Sequence, residues 1–139
     1  MDFSFTDEQR QLRDSISALL RDRYGFDARR NASRSEPGWR PHIWRTLTRE
    51  LGLGGAAFPE RLGGAGGGAV ETMIIMEELG SVLALEPWLE TIVLAGGLLQ
   101  ACGGAVADAA LRDIIAGDAV LAFGWAEPVS RYAFSDVVT

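Results

Sequence analysis

The sequence contains very little of the chemistry that metal and thiol enzymes use. It has one cysteine, Cys102, and one histidine, His42. These two residues cannot form a disulfide, a structural zinc site or a Cys–His nucleophile pair with an orienting third group. We therefore expect no metal centre. His42 follows Pro41 in the first turn of a predicted helix and has no candidate partners, so a structural or inert role explains it best.

Lysine is absent, and all 13 basic residues are arginines. The 19 acidic residues give a net charge of −6. Most of the excess negative charge lies in residues 62–139, which contain 10 acidic residues and 2 arginines. A nucleic-acid-binding protein concentrates positive charge on one face, and this sequence does not. We therefore expect no nucleic-acid partner.

Apolar runs long enough to span a bilayer, about 18 to 20 residues, are also missing. The segment after Met1 lacks the basic and apolar pattern of a secretory signal, so we expect a cytoplasmic protein. The strongest apolar stretches, 70–80 and 88–102, lie on either side of Glu86-Pro87. The first is apolar on almost every side of a helical wheel, which predicts a hairpin of two buried helices.

A capping box predicts where the first helix begins. Thr6 and Gln9 have the required spacing, and the following residues are apolar at helical intervals. We expect a helix over Asp7–Tyr24, with Gly25 as its left-handed cap.

The remaining helical segments follow from the same periodicity. Residues 41–51 and 106–115 are predicted helices, and residues 26–38 are predicted as a loop because they carry charge, serine, proline and glycine. The predicted fold is all-α, a bundle of about five helices over residues 1–117. Residues 118–139 are predicted to be a short β tail. Because a ribbon of two strands is only marginally stable by itself, we expect this tail to be the beginning of an incomplete β-domain.

Two segments allow a functional as well as a structural interpretation. Residues 52–68 contain eight glycines, which suit either a phosphate cradle or, more simply, a long loop. The P-loop order is lacking. In the hairpin, Met73, Met76 and the Gly96-Gly97 pair suit either a plain core or the lining of a channel for an apolar ligand.

Four segments in order resemble the N-terminal part of the acyl-CoA dehydrogenase family. They are FTDEQRQLR at 5–13, LGLGGAAFPERLGG at 51–64, MEELG at 76–80, and AGD at 116–118 leading to AFGWAEP at 122–128. The resemblance covers essentially the whole chain. It implies an all-α N-terminal domain followed by the first strand of a middle β-domain.

The resemblance also implies an activity and a cofactor. Members of this family oxidise an acyl-CoA thioester to a 2-enoyl-CoA, with a carboxylate that removes the α-proton and an FAD that takes the β-hydrogen as hydride. The base usually belongs to the C-terminal part of the family's proteins, so no catalytic residue is expected in this chain. Glu127 is expected to be a carboxylate at a strand end. The electron acceptor is left open.

By motif position, the flavin contacts of the family fall on Phe123, Trp125 and Ala126. Ala126 replaces the usual threonine, so only its backbone remains to reach the flavin. Ser130 and Arg131 are the nearest matches to the family's serine at the thioester. The acyl pocket is expected along the second arm of the hairpin, and its predicted lining residues are Leu94, Gly97 and Leu98.

Three functions remain open at this stage. The first is the helical part of an FAD-dependent acyl-CoA dehydrogenase that binds acyl-CoA and forms a homo-oligomer, or an oligomer with an unlike chain of the same family. The second is a non-catalytic helical subunit of such a hetero-oligomer, which the loss of threonine at Ala126 favours. The third is a binder of a small apolar ligand without a redox role.

Overall fold

The computed structural model describes residues 4–124 of the chain. These residues form a bundle of helices and contain no β-strand. The predicted all-α fold is confirmed, with one helix more than the five expected. In chain order the helices are α1 (Asp7–Arg23), α2 (Phe26–Ala32), α3 (Pro41–Arg45), α4 (Ala69–Ser81), α5 (Gly96–Cys102) and α6 (Gly104–Ile115).

The capping box at the start of α1 is present. The backbone N–H of Gln9 donates to Thr6 Oγ1 at 3.2 Å, and the backbone N–H of Thr6 donates to Gln9 Oε1 at 3.0 Å. Together these bonds satisfy two of the amides that a helix start leaves free. The helix ends at Arg23, one residue before the predicted end, and Tyr24 is its cap.

The predicted loop over residues 26–38 is wrong in its first half, where α2 lies. Gly25 is not a left-handed cap, because its φ of −64° and ψ of 155° are extended and begin α2. Asp27 in the first turn and Arg30 in the last complement the helix dipole, and Ala32 is buried. A seven-residue helix with one buried residue has too little apolar content for periodicity to reveal it.

Two helical segments widen into π-helix. The helix that begins at Pro41 continues through Thr46–Glu50 as π-helix, and Gly52, with a φ of +66°, follows its end. The π-helix Leu89–Ala95 leads directly into α5. Each π turn inserts a residue and shifts the faces that follow, and such turns are frequent at functional sites.

The core lies where α1 packs on α4 and α5 packs on α6. The α1–α4 contact has a polar edge, where Gln9 Nε2 donates to Glu71 Oε1 at 2.8 Å and Arg13 pairs with Glu77 at 2.8 Å. The largest fully buried side chains come from several elements, and they are Ile16, Ile43, Leu47, Ile74, Ile75, Trp88, Leu111 and Ile114.

The central hairpin is less enclosed than its sequence predicts. Ile75 is 2% exposed, whereas Met73 is 49% exposed and Val70 is also exposed. Leu94 and Leu98 on the second arm are likewise exposed. The expectation that neighbours cover both helices on every side is therefore wrong for the described residues, because each arm has exposed as well as buried apolar side chains.

The predicted strand over residues 120–126 is not formed in its described part. Residues 120–124 lie outside helix and strand. A strand is defined by its pairing, and the described residues offer it no partner. Ala126 and Trp125 lie outside the described residues.

Candidate functional site

A groove of about 230 Å³ lies between α4 and the π-helix that leads into α5. One wall comes from the start of α4, through Ala69 and Thr72, and the other from Val93 and Gly97. Its remaining lining residues are Ala57, Phe58, Gly68, Ile92 and Gln100. Its side chains are mostly apolar, with one hydroxyl and one amide, a composition that suits an apolar ligand held in one orientation.

Phe58 and Gly96 meet at the floor of this groove. Phe58 is 3% exposed, and a Cβ added at Gly96 would lie 2.6 Å from its Cζ. Real carbon atoms do not approach so closely, so a larger residue at this position requires the buried Phe58 ring to shift. At Gly97, one residue further on, no atom lies within 4 Å of an added Cβ. The two adjacent glycines therefore have different roles: Gly96 admits the Phe58 ring, and Gly97 leaves space in the groove.

Of the three residues predicted to line an acyl pocket, the structure places one in this groove. Gly97 lies in its wall, whereas Leu94 and Leu98 lie outside its lining and have 41% and 44% of their surface exposed. Their role in substrate binding stays a prediction. The lining residues Val93, Gly97 and Gln100 have helical spacing, so they form one face of this segment, and Leu94 and Leu98 lie off that face.

Thr91 lies in the π-helix Leu89–Ala95, here called the groove helix because it lines the groove. It forms two hydrogen bonds with the segment after α6. Its Oγ1 donates to the carbonyl of Leu121 at 2.8 Å and accepts from the backbone N–H of the same residue at 3.1 Å. Thr91 is fully buried. Sequence reasoning did not select it, although a polar residue in an apolar run that needs a hydrogen-bond partner is a usable signal.

This attachment positions the predicted flavin contact Phe123, two residues after Leu121. As a whole residue, Phe123 is 43% exposed. The other residues predicted from the motif, Trp125, Ala126, Ser130 and Arg131, lie outside the described residues. Phe123 is thus the one predicted cofactor contact within the described residues, and it lies two residues after the segment that Thr91 holds.

The glycine-rich segment does not present a cradle of free amides. It forms the 3-10 turns Leu53–Gly55 and Glu60–Leu62. The N–H groups of Gly64, Gly66 and Gly67 donate to backbone carbonyls, and that of Gly68 donates to the Glu71 carboxylate at 2.7 Å. A phosphate cradle needs amides that point to an empty space, so the loop interpretation is the better one.

Within residues 4–124, no three His, Cys, Asp or Glu side chains lie close enough together to hold a metal ion. In the same part of the chain, no helix has the length and hydropathy needed to cross a membrane.

Comparison with known proteins identifies the family. The family described as "Acyl-CoA dehydrogenase, N-terminal domain" matches residues 6–118. Acyl-CoA dehydrogenase IpdE2 of Mycobacterium tuberculosis is 35% identical over 115 residues, which cover 82% of this chain and 35% of that protein. IpdE2 of Mycolicibacterium smegmatis is 35% identical over 95 residues, 68% of this chain and 30% of that protein. The chain thus spans about a third of the length of these relatives.

Solved structures agree with the sequence comparison. The ChsE4–ChsE5 complex of Mycobacterium tuberculosis matches with a TM-score of 0.75 and 29% identity, over 85% of this chain and 32% of that one. A variant of the Tcur3481–Tcur3483 steroid ACAD matches with a TM-score of 0.72 and 30% identity, over 80% and 30%. The chain therefore belongs to the acyl-CoA dehydrogenase family and corresponds to its N-terminal helical domain.

Proposed function

We propose that this chain is the N-terminal part of an FAD-dependent acyl-CoA dehydrogenase that oxidises an acyl-CoA thioester to a 2-enoyl-CoA. The observation that carries the proposal is the apolar groove between α4 and α5 in a chain that belongs to this family. In the proposed enzyme, the groove receives the acyl group. The Phe58 ring closes its floor, and Gly97 keeps its wall open.

The residues near the groove fit a flavin in one respect. FAD, when bound, accepts the hydride that leaves the β-carbon of the acyl group. Phe123 offers an exposed aromatic ring on a segment that Thr91 holds against the groove helix. Flat aromatic surfaces pack well against one another, so Phe123 is the described residue that we assign to the flavin. We assign Trp125 and the backbone of Ala126 to it as further predicted contacts.

In the proposed enzyme, this chain and the remainder of the protein have different roles. This chain binds and orients the acyl group and excludes water from it, which strengthens every charge interaction near the reacting carbons. We place the carboxylate that takes the α-proton outside this chain. Ser130 and Arg131 stay predicted contacts of the thioester end.

The test is made on the complete protein, because this chain spans about a third of its relatives. Flavin content and 2-enoyl-CoA formation are measured with straight-chain and steroid acyl-CoA thioesters, since one structural neighbour is named a steroid ACAD. Gly97→Leu should fill the groove and raise KM for the preferred thioester by about tenfold or more, the equivalent of about 1.4 kcal/mol.

Gly80→Leu is the matched control. Gly80 lies on α4 outside the groove lining, and an added Cβ there meets no atom within 4 Å. If both variants retain the KM of the parent enzyme, the groove does not hold the acyl group. If the complete protein neither retains flavin nor oxidises any thioester, alone or with a partner, the proposed activity is wrong.

A second candidate function is that of a subunit in an assembly of two unlike acyl-CoA dehydrogenase-like chains. Both structural neighbours carry paired names, ChsE4–ChsE5 and Tcur3481–Tcur3483. Ala126 favours this role, because a partner that supplies the missing hydrogen bond would relieve the loss of the usual threonine. Co-expression with the candidate partner decides between the two: flavin occupancy and turnover by the complete protein alone support the homo-oligomer, and a requirement for the partner supports the mixed assembly.

A further inference from the structure

The glycine-rich segment 52–68 holds Phe58 at the floor of the groove between α4 and α5. Two runs of this segment, 55–58 and 64–67, lie side by side and are here called the loop clamp. Three backbone N–H groups of the second run donate to carbonyls of the first at 2.9 to 3.0 Å, and these bonds join Ala65 to Gly55, Gly66 to Phe58 and Gly67 to Ala56. The carbonyl of Phe58 is therefore bonded to the opposite run.

Gly64 lets the two runs of the loop clamp come into direct backbone contact. A Cβ added at Gly64 would lie 2.5 Å from the carbonyl carbon of Phe58, closer than two non-bonded carbon atoms approach in a packed interior. At the other end of the same residue, the Phe58 ring lies against the backbone of Gly96. Phe58 is thus confined at its backbone by the loop clamp and at its ring by α5.

The Phe58 ring is the largest side chain in the lining of the groove. It is 3% exposed and belongs to the hydrophobic core cluster, so packed side chains lie behind it. Moving a ring within a close-packed core requires its neighbours to shift as well. The space that the groove offers to a ligand therefore ends at this ring.

We propose that the Phe58 ring sets the size of the acyl group that the groove accepts. An acyl group longer than the groove meets the ring at the floor, and the loop clamp keeps the ring in place. Glycines serve this purpose because they allow two backbone runs to approach closely. Since binding of the acyl group in the groove belongs to the function proposed above, this role of Phe58 rests on that function.

The experiment compares the complete protein with its Phe58→Leu and Phe58→Ala variants. The value of kcat/KM is measured with butanoyl-, octanoyl- and hexadecanoyl-CoA and with the steroid thioester. Calorimetry measures the binding of the matching 2-enoyl-CoA products, which gives a second readout without turnover. A smaller side chain at the floor lengthens the groove, so the preference for larger over smaller thioesters should rise in the order Phe, Leu, Ala. One methylene group in an apolar pocket changes specificity by about tenfold or more, so Phe58→Ala should change the ratio by at least about tenfold.

Leu62→Ala is the matched control. Leu62 lies in the same glycine-rich segment, is also 3% exposed and belongs to the same core cluster, but it does not line the groove. This large-to-small substitution should lower stability and leave the size preference unchanged. Phe58→Leu retains most of the apolar volume, so it tests the role of the ring even if Phe58→Ala does not fold. Thermal midpoints establish which variants are folded.

A change in the size preference, seen in both turnover and product binding, is the decisive result, because a loss of stability lowers the values for all thioesters alike. If the folded Phe58 variants keep the preference of the parent, or if Leu62→Ala shifts it equally, Phe58 does not set the acyl size and the proposed function is unaffected. If the parent oxidises no thioester, the proposed function is wrong, and the role of Phe58 is wrong with it.

Discussion

Tyr24 connects the end of α1 to the turn before the π-helix through two short hydrogen bonds. Its hydroxyl donates to Glu86 Oε2 at 2.7 Å and accepts from the backbone N–H of Leu85 at 2.7 Å. The Arg40 guanidinium lies 4.1 Å from the centre of its ring. One buried side chain therefore holds three segments that are distant in the sequence.

The ionisation of Tyr24 should make stability depend on alkaline pH. Burial first, and then the bond to the Glu86 carboxylate, raise the pKa of Tyr24 from 10.0 to about 12. Because the folded pKa lies above the unfolded one, this stabilisation is complete below about pH 10 and is lost as the pH rises toward 12. Urea unfolding at pH 8 and at pH 11 to 12 measures the change.

Tyr24→Phe should remove this pH dependence. At pH 8 the variant should lose roughly 1 to 3 kcal/mol of unfolding free energy, because it leaves Glu86 Oε2 and the Leu85 N–H without their partner. The difference in unfolding free energy between the variant and the parent should decrease above pH 10. A constant gap over the whole range would show that the tyrosine hydroxyl does not carry the effect.

At the two adjacent glycines, the structure predicts opposite outcomes for the same substitution. Gly96→Ala places a methyl group 2.6 Å from Phe58 Cζ, so it should lower the unfolding free energy by about 1 to 3 kcal/mol. Gly97→Ala meets open space within a helix and should be neutral or stabilising by up to about 1 kcal/mol. Chemical denaturation of both variants tests the pair, and equal effects would contradict the described contact.

At the scale of the element, α4 separates a buried face from an exposed one. Ile75→Asp should be severely destabilising, because an unpaired carboxylate in the core costs several kcal/mol of a total near 5 to 15 kcal/mol. Met73→Asp places the same group on the exposed side of the same helix and should change the unfolding free energy by about 1 kcal/mol or less. The thermal midpoints of both variants decide, and an unchanged midpoint in Ile75→Asp would refute the placement of α4.

The exposed apolar residues of the hairpin have a consequence for the whole molecule. Val70, Met73, Leu94 and Leu98 leave apolar surface uncovered on both arms. Where exposed apolar residues adjoin one another, they mark interaction sites in soluble proteins. They agree with the proposal that this chain works as part of a larger enzyme and with an oligomer as its working form.

The chain by itself should be colourless and inactive. The function proposed above assigns most of the flavin contacts, and the base, to segments other than these 139 residues, which span 30% to 35% of the curated relatives. We expect no flavin absorbance after extensive dialysis of the purified chain with FAD, and no 2-enoyl-CoA formation. The complete protein, treated in the same way, is the control. A yellow chain after dialysis would contradict this prediction.

The sequence by itself determined the features that depend on neighbouring residues. The capping box of Thr6 and Gln9 set the start of α1, since both of its bonds are local. Apolar periodicity located the long helices, and four short motifs in order indicated the family. The short helix α2 was not predicted, because seven residues contain too few helical turns for their periodicity to differ visibly from that of a polar loop.

Only the tertiary structure decided which apolar residues are covered and which line a site. Met73 and Ile75 are both apolar, but Ile75 lies in the core cluster and is 2% exposed, whereas Met73 is 49% exposed. The packing of this segment beside α4 places Gly97 in the groove and leaves Leu94 outside it. Such choices depend on contacts between segments that are distant in the sequence, and local spacing does not encode those contacts.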